Sequence, residues 1–133
     1  RSSDLDQNYE SLVPALEIFS LLSKDSGIEK LTIKFMKVNN LEDFQKASKY
    51  IFQSFNESPL RIKFLTINWD AFSITDGNIT QEILEIMKFL ISQIPCLRKL
   101  AVLNKYSFCN APQSFTSQLD AFRKKYFYVD IEA

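Results

Sequence analysis

The amino-acid sequence predicts an α/β fold of four helix-strand repeats whose strands form a mainly parallel four-stranded sheet. Hydrophobic residues recur first with the spacing of a helix and then with that of a strand, and this pattern repeats along the chain. Of the 133 residues, 46% are hydrophobic, which is enough to build the core of one domain. Helix-then-strand units in a row imply right-handed crossovers between parallel neighbours.

Four segments carry apolar residues at helical spacing. The first is followed by Gly27, the second by Pro59 and the third by Pro95, residues that end helices. Asn78 with Gln81 predicts a capping box at the start of the third helix. The predicted helices cover residues 9–24, 41–55, 78–94 and 114–125.

Each predicted helix is followed by an extended segment, and the four segments share one apolar template. The four copies are Ile28-x-x-Leu31-x-Ile33, Ile62-x-x-Leu65-x-Ile67, Leu97-x-x-Leu100-x-Val102 and Tyr126-x-x-Val129-x-Ile131. The third apolar position recurs after 34, 35 and 29 residues, a spacing that suits stacked supersecondary units. The chain therefore contains an internal repeat, and its strands are predicted at residues 28–35, 62–69, 97–103 and 126–131.

A helix, a Pro or Gly stop and an L-x-x-L-x-L strand together resemble the irregular leucine-rich repeats of the ribonuclease-inhibitor-like type, including those of F-box proteins. The segment 79–100, with Pro95 between helix and strand, is most similar to that family. Regular members place Asn or Cys three residues after the third apolar position, where this chain has Met36, Asp70 and Lys105. The missing asparagine ladder leaves a compact α/β sandwich, STAS-like or flavodoxin-like, as the alternative fold.

The whole chain, residues 1–133, is interpreted as one leucine-rich-repeat-like domain and as the C-terminal part of a longer array. The last strand shortens the repeat and carries Asp130 and Glu132, charges that discourage further pairing. The polar first ten residues contain nothing expected to pair with the strand at residues 28–35. The edge of that strand is therefore expected to be open.

Composition excludes most catalytic chemistry. The chain has no histidine, so histidine bases and histidine-ligated metals are ruled out, and only two glycines are available for a phosphate-binding loop. The 16 Lys and Arg residues balance the 16 Asp and Glu residues, so the chain has no excess of positive charge with which to bind nucleic acid. Cys96 and Cys109 lack a C-x-x-C spacing and are expected to be reduced and partly buried. We expect no enzyme, no metal, no cofactor and no small-molecule substrate.

No stretch approaches the ~20 apolar residues of a membrane span, and the polar first segment shows no signal peptide. The protein is therefore expected to be intracellular and to have no membrane partner.

The strand-end loops offer an alternative site. Asp70 ends the second predicted strand and Asp76 lies in the following loop, where a parallel sheet collects its ligands. A phosphoryl or magnesium site is one use of these carboxylates. Ser73 and Thr75 in the same loop resemble the phosphorylatable serine loop of STAS domains. A small α/β signalling or ligand-binding domain is thus the alternative function.

The main candidate is a surface. If the template residues face the helices, the side chains between them line the other face of the sheet. The first row is expected to contain Lys30, Phe64, Lys99 and Tyr128, the second Thr32, Thr66, Ala101 and Asp130, and the third Lys34, Asn68, Leu103 and Glu132. Aromatic anchors among lysines and small polar residues are typical of a protein-binding patch. The resemblance to F-box proteins implies that the partner is a substrate awaiting ubiquitination.

Overall fold

The structure is a computed structural model that describes residues 2–8, 29–36, 41–57, 61–69, 77–104 and 113–132. Five strands and three helices lie within these ranges. In chain order they are β1 (Ser2–Asn8), β2 (Lys30–Met36), α1 (Leu41–Glu57), β3 (Phe64–Trp69), α2 (Gly77–Gln93), β4 (Lys99–Asn104), α3 (Gln113–Lys125) and β5 (Asp130–Glu132).

The strands form one parallel sheet in the order β1-β2-β3-β4-β5. The predicted α/β class and parallel sheet are confirmed. Because each strand pairs with the next one along the chain, right-handed crossovers place successive helices on the same side of the sheet. A flavodoxin-like sheet has the order 2-1-3-4-5 instead. That alternative is therefore wrong for the described part of the chain.

β1 is a strand that the sequence analysis did not predict. It pairs in parallel with β2 over its whole length, from Ser2 opposite Lys30 to Asn8 opposite Met36. The predicted strand at residues 28–35 is thus an interior strand, and the expectation that its edge is open is wrong. Main-chain N–H and C=O groups make this pairing, and they need no apolar side-chain pattern.

The apolar template faces the helices, as predicted. Leu31, Ile33, Leu65, Ile67, Leu100 and Val102 are all buried and belong to one hydrophobic core. The helices contribute buried stripes to the same core, including Phe44, Ala47, Ile51 and Phe55 of α1. Phe52 and Phe89 link α1 to α2, with ring centroids 4.7 Å apart. Sheet and helices therefore form two layers with the core between them.

The second, third and fourth predicted helices are confirmed, while the first, at residues 9–24, lies outside the described residues. α2 begins at Gly77, one residue before the predicted start at Asn78. The chain leaves α2 after Gln93 and then turns, with Leu97 N–H donating to the carbonyl of Ile94 at 3.1 Å. Pro95 thus lies two residues after the end of α2, close to the predicted end of the helix.

The last predicted strand, 126–131, is wrong in its first four residues. Tyr126 N–H donates to the carbonyl of Phe122 at 3.0 Å, and Val129 N–H to that of Tyr126 at 3.1 Å. These bonds close a turn after α3, and β5 starts only at Asp130. Ile131 therefore lies opposite Leu100 and not opposite Val102, a shift of two residues from the template.

Candidate functional site

One face of the sheet carries the side chains that alternate with the buried template. Phe64 is 39% exposed there although it is apolar, and Lys30 is also exposed. Thr32 and Thr66 are half-buried, and Ala101 is buried. By strand register, the first row is Lys30, Phe64, Lys99 and Asp130, and the second is Thr32, Thr66, Ala101 and Glu132. Residues 34, 68 and 103 occupy the register positions of the third row.

The rows agree with the sequence prediction on β2, β3 and β4, and they differ on β5. Asp130 lies opposite Lys99, in the place predicted for Tyr128, and Glu132 lies opposite Ala101. Tyr128 belongs to the turn before β5 and is not part of the sheet. The reason is the turn after α3: the strand starts only at Asp130, and its register against β4 is shifted by two residues, so the same faces are kept but each residue moves by one row.

A depression of about 370 Å³ lies on this face. It is lined by Lys30, Phe64, Leu65, Thr66, Lys99, Ala101 and Glu132. The second row carries short side chains on neighbouring strands, Thr66 and Ala101, beside the larger Phe64 and Lys99 of the first row. A partner group can therefore approach the sheet backbone beside an aromatic ring and two ammonium groups.

The charges of this face change sign between the central strands and β5. Lys30 and Lys99 lie on either side of Phe64, whereas Asp130 and Glu132 lie on β5. Lys99 Nζ is 3.5 Å from Glu132 Oε2, and both side chains are about half exposed. An exposed pair of this kind contributes roughly 0–1 kcal/mol, so a partner carboxylate can replace Glu132 at small cost.

A chain of contacts at the beginning of the strands aligns the rows. Lys63 N–H donates to the carbonyl of Glu29 at 2.8 Å, Arg98 N–H to that of Lys63 at 2.8 Å, and Asp130 N–H to that of Arg98 at 2.7 Å. Lys63 Nζ also lies 3.0 Å from Glu29 Oε1. These bonds set the register of four successive strands and so place Lys30, Phe64 and Lys99 side by side.

The Lys63–Glu29 pair predicts an acid-shifted titration. The hydrogen bond from Lys63 and the attraction of its ammonium hold the pKa of Glu29 below its ordinary value. Because the folded pKa is depressed, the favourable contribution is present above the unfolded pKa and is lost as pH falls through the folded pKa. NMR titration of the Glu29 carboxyl should show a higher midpoint in Lys63→Met than in the wild type. Equal midpoints would contradict the pairing.

The residues of the alternative site, Asp70, Ser73, Thr75 and Asp76, lie outside the described residues. Among the residues that the structure describes, no group of three or more His, Cys, Asp or Glu is placed to hold a metal ion. In the same part of the chain, no helix has the length and apolarity to cross a membrane.

Cys96 is a free thiol, as expected, but it is exposed and not partly buried. It lies in the turn that follows α2, outside the core. Cys109 lies outside the described residues.

Two parts of the candidate surface were missed by sequence reasoning. Ser2, Asp4 and Asp6 of β1 are in register with Lys30, Thr32 and Lys34, which extends the three rows by one strand. The depression was also missed, although a sequence signal existed. Residues 32, 66 and 101 share one repeat position, and all three are small.

No family model, no curated protein and no solved structure matches this chain. The fold itself defines the class of this protein: it is a two-layer α/β protein with a parallel sheet, one face of which the described helices leave uncovered.

Proposed function

We propose that this chain is a non-enzymatic protein-interaction module that binds a protein partner on the uncovered face of its sheet. The observation that carries the proposal is the depression beside Phe64 on that face. Phe64 supplies the aromatic anchor, and Lys30 and Lys99 supply charges that orient a partner. Anchors of this kind provide most of the binding energy at protein interfaces.

The exposure of Phe64 supports a binding role. The residues on either side of it are less exposed: Lys63, just before β3, is half-buried, and Leu65 is buried. The Phe64 ring is therefore the apolar group that this end of β3 exposes to solvent. Burying a fully exposed large apolar side chain is worth about 1.5–3 kcal/mol, and because Phe64 is 39% exposed, covering the rest of its ring contributes about 1 kcal/mol. The rigid sheet also keeps this ring in place before binding, which reduces the entropy lost on association.

The resemblance to F-box leucine-rich repeats supports a narrower version of this proposal, in which the partner is a substrate for ubiquitination. That version adds one requirement: a protein held by this face must be ubiquitinated when the module is joined to a ligase. The broader proposal needs only binding, so the two are tested separately.

Selection from a phage-displayed random peptide library on the immobilised full chain tests the broader proposal. We expect the selected peptides to bind Phe64→Ser at least roughly thirtyfold more weakly than the wild type, the loss typical of a central anchor. Phe127→Ser is the matched control, because Phe127 is 83% exposed and lies in the turn before β5. Binding to this control should be unchanged.

Two outcomes would contradict the proposal. The first is selection of peptides whose affinity for Phe64→Ser equals that for the wild type. The second is a library from which no peptide is enriched, while circular dichroism shows that the immobilised chain is folded.

A further inference from the structure

The turn between α3 and β5 exposes an aromatic cluster that the proposed function does not use. Phe127 is 83% exposed and Tyr128 is 60% exposed. The two rings meet edge to face, with centroids 5.7 Å apart and planes at 85°. Tyr126 lies 6.3 Å from Tyr128 and 4.6 Å from the half-buried Phe122. The exposed rings are therefore held in position by contacts that reach back to the core.

Basic residues adjoin these rings. The last turn of α3 carries Arg123, Lys124 and Lys125. Residues 121–129 contain no carboxylate, and the exposed Asp120 and Asp130 flank this stretch. Arg123 bonds to Asp120 at 3.5 Å and donates from Nε to the carbonyl of Ile131 at 3.2 Å, which ties the helix end to β5. Lys125 Nζ lies 5.4 Å from the centre of the Tyr126 ring. Lys124 and Lys125 are exposed beside the aromatic cluster.

We propose that this basic-aromatic turn, residues 123–128, docks on the surface of a membrane that contains anionic lipids. Tyrosine and phenylalanine rings enter the headgroup region, while lysines extend their charges towards lipid phosphates over apolar stems. Each cation near an anionic surface strengthens such binding roughly fivefold at low salt. Contact of this kind is interfacial and requires no membrane-spanning segment, so the proposal departs from the expectation of no membrane partner, which was drawn from the absence of such a segment.

The ring geometry favours lipid over single-stranded nucleic acid. Successive bases stack on ring faces that follow one another along a strand. Here the planes of Tyr126 and Tyr128 meet at 72°, and those of Tyr128 and Phe127 at 85°. The exposed rings therefore form no continuous stacking platform.

The size of the cluster favours lipid over a folded protein. An aromatic side chain buries about 150–250 Å² when fully covered, so the exposed parts of Phe127 and Tyr128 supply about 300 Å². A stable protein interface needs roughly 800 Å² from each partner. A fluid lipid surface has no such minimum, because it adapts to a small protruding turn.

Vesicle sedimentation with the full chain tests the proposal. Vesicles of phosphatidylcholine containing about one third phosphatidylserine should bind the wild type, whereas pure phosphatidylcholine vesicles should bind it far more weakly. Phe127→Ser should reduce binding about tenfold. Lys124→Gln with Lys125→Gln should reduce it about twentyfivefold, and added salt should act in the same direction. Phe64→Ser, on the sheet face, is the control and should bind like the wild type.

Circular dichroism of each variant confirms that the fold is retained, since Phe127, Lys124 and Lys125 are all exposed. Failure of the wild type to bind anionic vesicles would overturn the proposal. So would equal binding by Phe127→Ser, or binding of single-stranded polyuridylate in place of vesicles. None of these results bears on peptide binding at Phe64, so this proposal and the proposed function fail independently.

Discussion

Replacement of Phe35 by alanine is expected to lower the free energy of unfolding by about 3–5 kcal/mol, the range for removal of a buried aromatic ring. Phe35 lies in β2 on the face covered by the helices and is 0% exposed. Its ring packs edge to face on Tyr50 of α1, with centroids 5.6 Å apart and planes at 84°. Alanine removes both the buried apolar area and this contact between the layers, and a rigid sheet cannot collapse around the cavity. Urea denaturation followed by circular dichroism measures the loss.

Phe64→Ala is the matched control, because it removes the same ring from the opposite face of the neighbouring strand. Phe64 is 39% exposed and has no helix above it among the described elements. Because part of the ring is already covered in the fold, we expect a loss of about 1–2 kcal/mol, clearly smaller than that of Phe35→Ala. Equal losses in the two variants would mean that the two faces of the sheet are assigned incorrectly.

The faces of the central strands could be predicted because side-chain alternation leaves little freedom. Leu31, Leu65 and Leu100 lie side by side in the observed sheet, as their shared template position indicates. A shift by one residue would move the whole apolar set from the core to solvent, and this cost enforces the register. The rows through Phe64 and Lys99 follow from the same constraint.

β1 could not be predicted, because its sequence is polar apart from Leu5. Strand prediction detects side chains that fit a half-buried surface, and this segment has almost none of them. Its pairing with β2 is made by main-chain groups, which every sequence carries.

The start of β5 was misplaced for the opposite reason. Residues 126–129, Tyr-Phe-Tyr-Val, are aromatic and β-branched, which favours a strand. The main chain instead closes a turn at the end of α3, with Tyr126 bonded to the carbonyl of Phe122. Packing of Tyr126 on Phe122, with centroids 4.6 Å apart, stabilises that turn. Local contacts at the end of α3 thus outweighed strand propensity, and Tyr128 lies in the aromatic cluster instead of on the sheet face.

The depression is the part of the site that depends most on tertiary structure. The sequence shows that residue 101 is small, but only the neighbouring strands show that it lines a depression. Ala101 lies between Thr66 on one strand and Glu132 on the next. The position of Glu132 depends on the shifted start of β5, and the spacing of the sequence repeats does not predict that shift. The outer wall of the depression could therefore be located only in the folded chain.

Replacement of Ala101 by tyrosine is expected to abolish partner binding while leaving the fold intact. Ala101 is 3% exposed and lines the depression of about 370 Å³. A tyrosine there projects away from the helices and fills the space that a partner group would occupy. Because Ala101 is buried, the larger side chain is expected to lower the free energy of unfolding by about 1–3 kcal/mol, which the strand propensity of tyrosine partly offsets. Affinity for peptides selected on the wild type should fall at least roughly thirtyfold, or about 2 kcal/mol, measured by fluorescence polarisation.

Ala121→Tyr is the control for Ala101→Tyr, because it adds the same ring at an exposed alanine of α3. It should leave peptide affinity unchanged, since α3 packs on the other face of the sheet through Phe115 and Leu119. Loss of binding in both variants would point to a general effect of the added ring. Retention of binding in Ala101→Tyr, with the protein folded, would place the partner elsewhere. The depression is the binding site only if the variant that fills it, Ala101→Tyr, is also the variant that loses peptide binding.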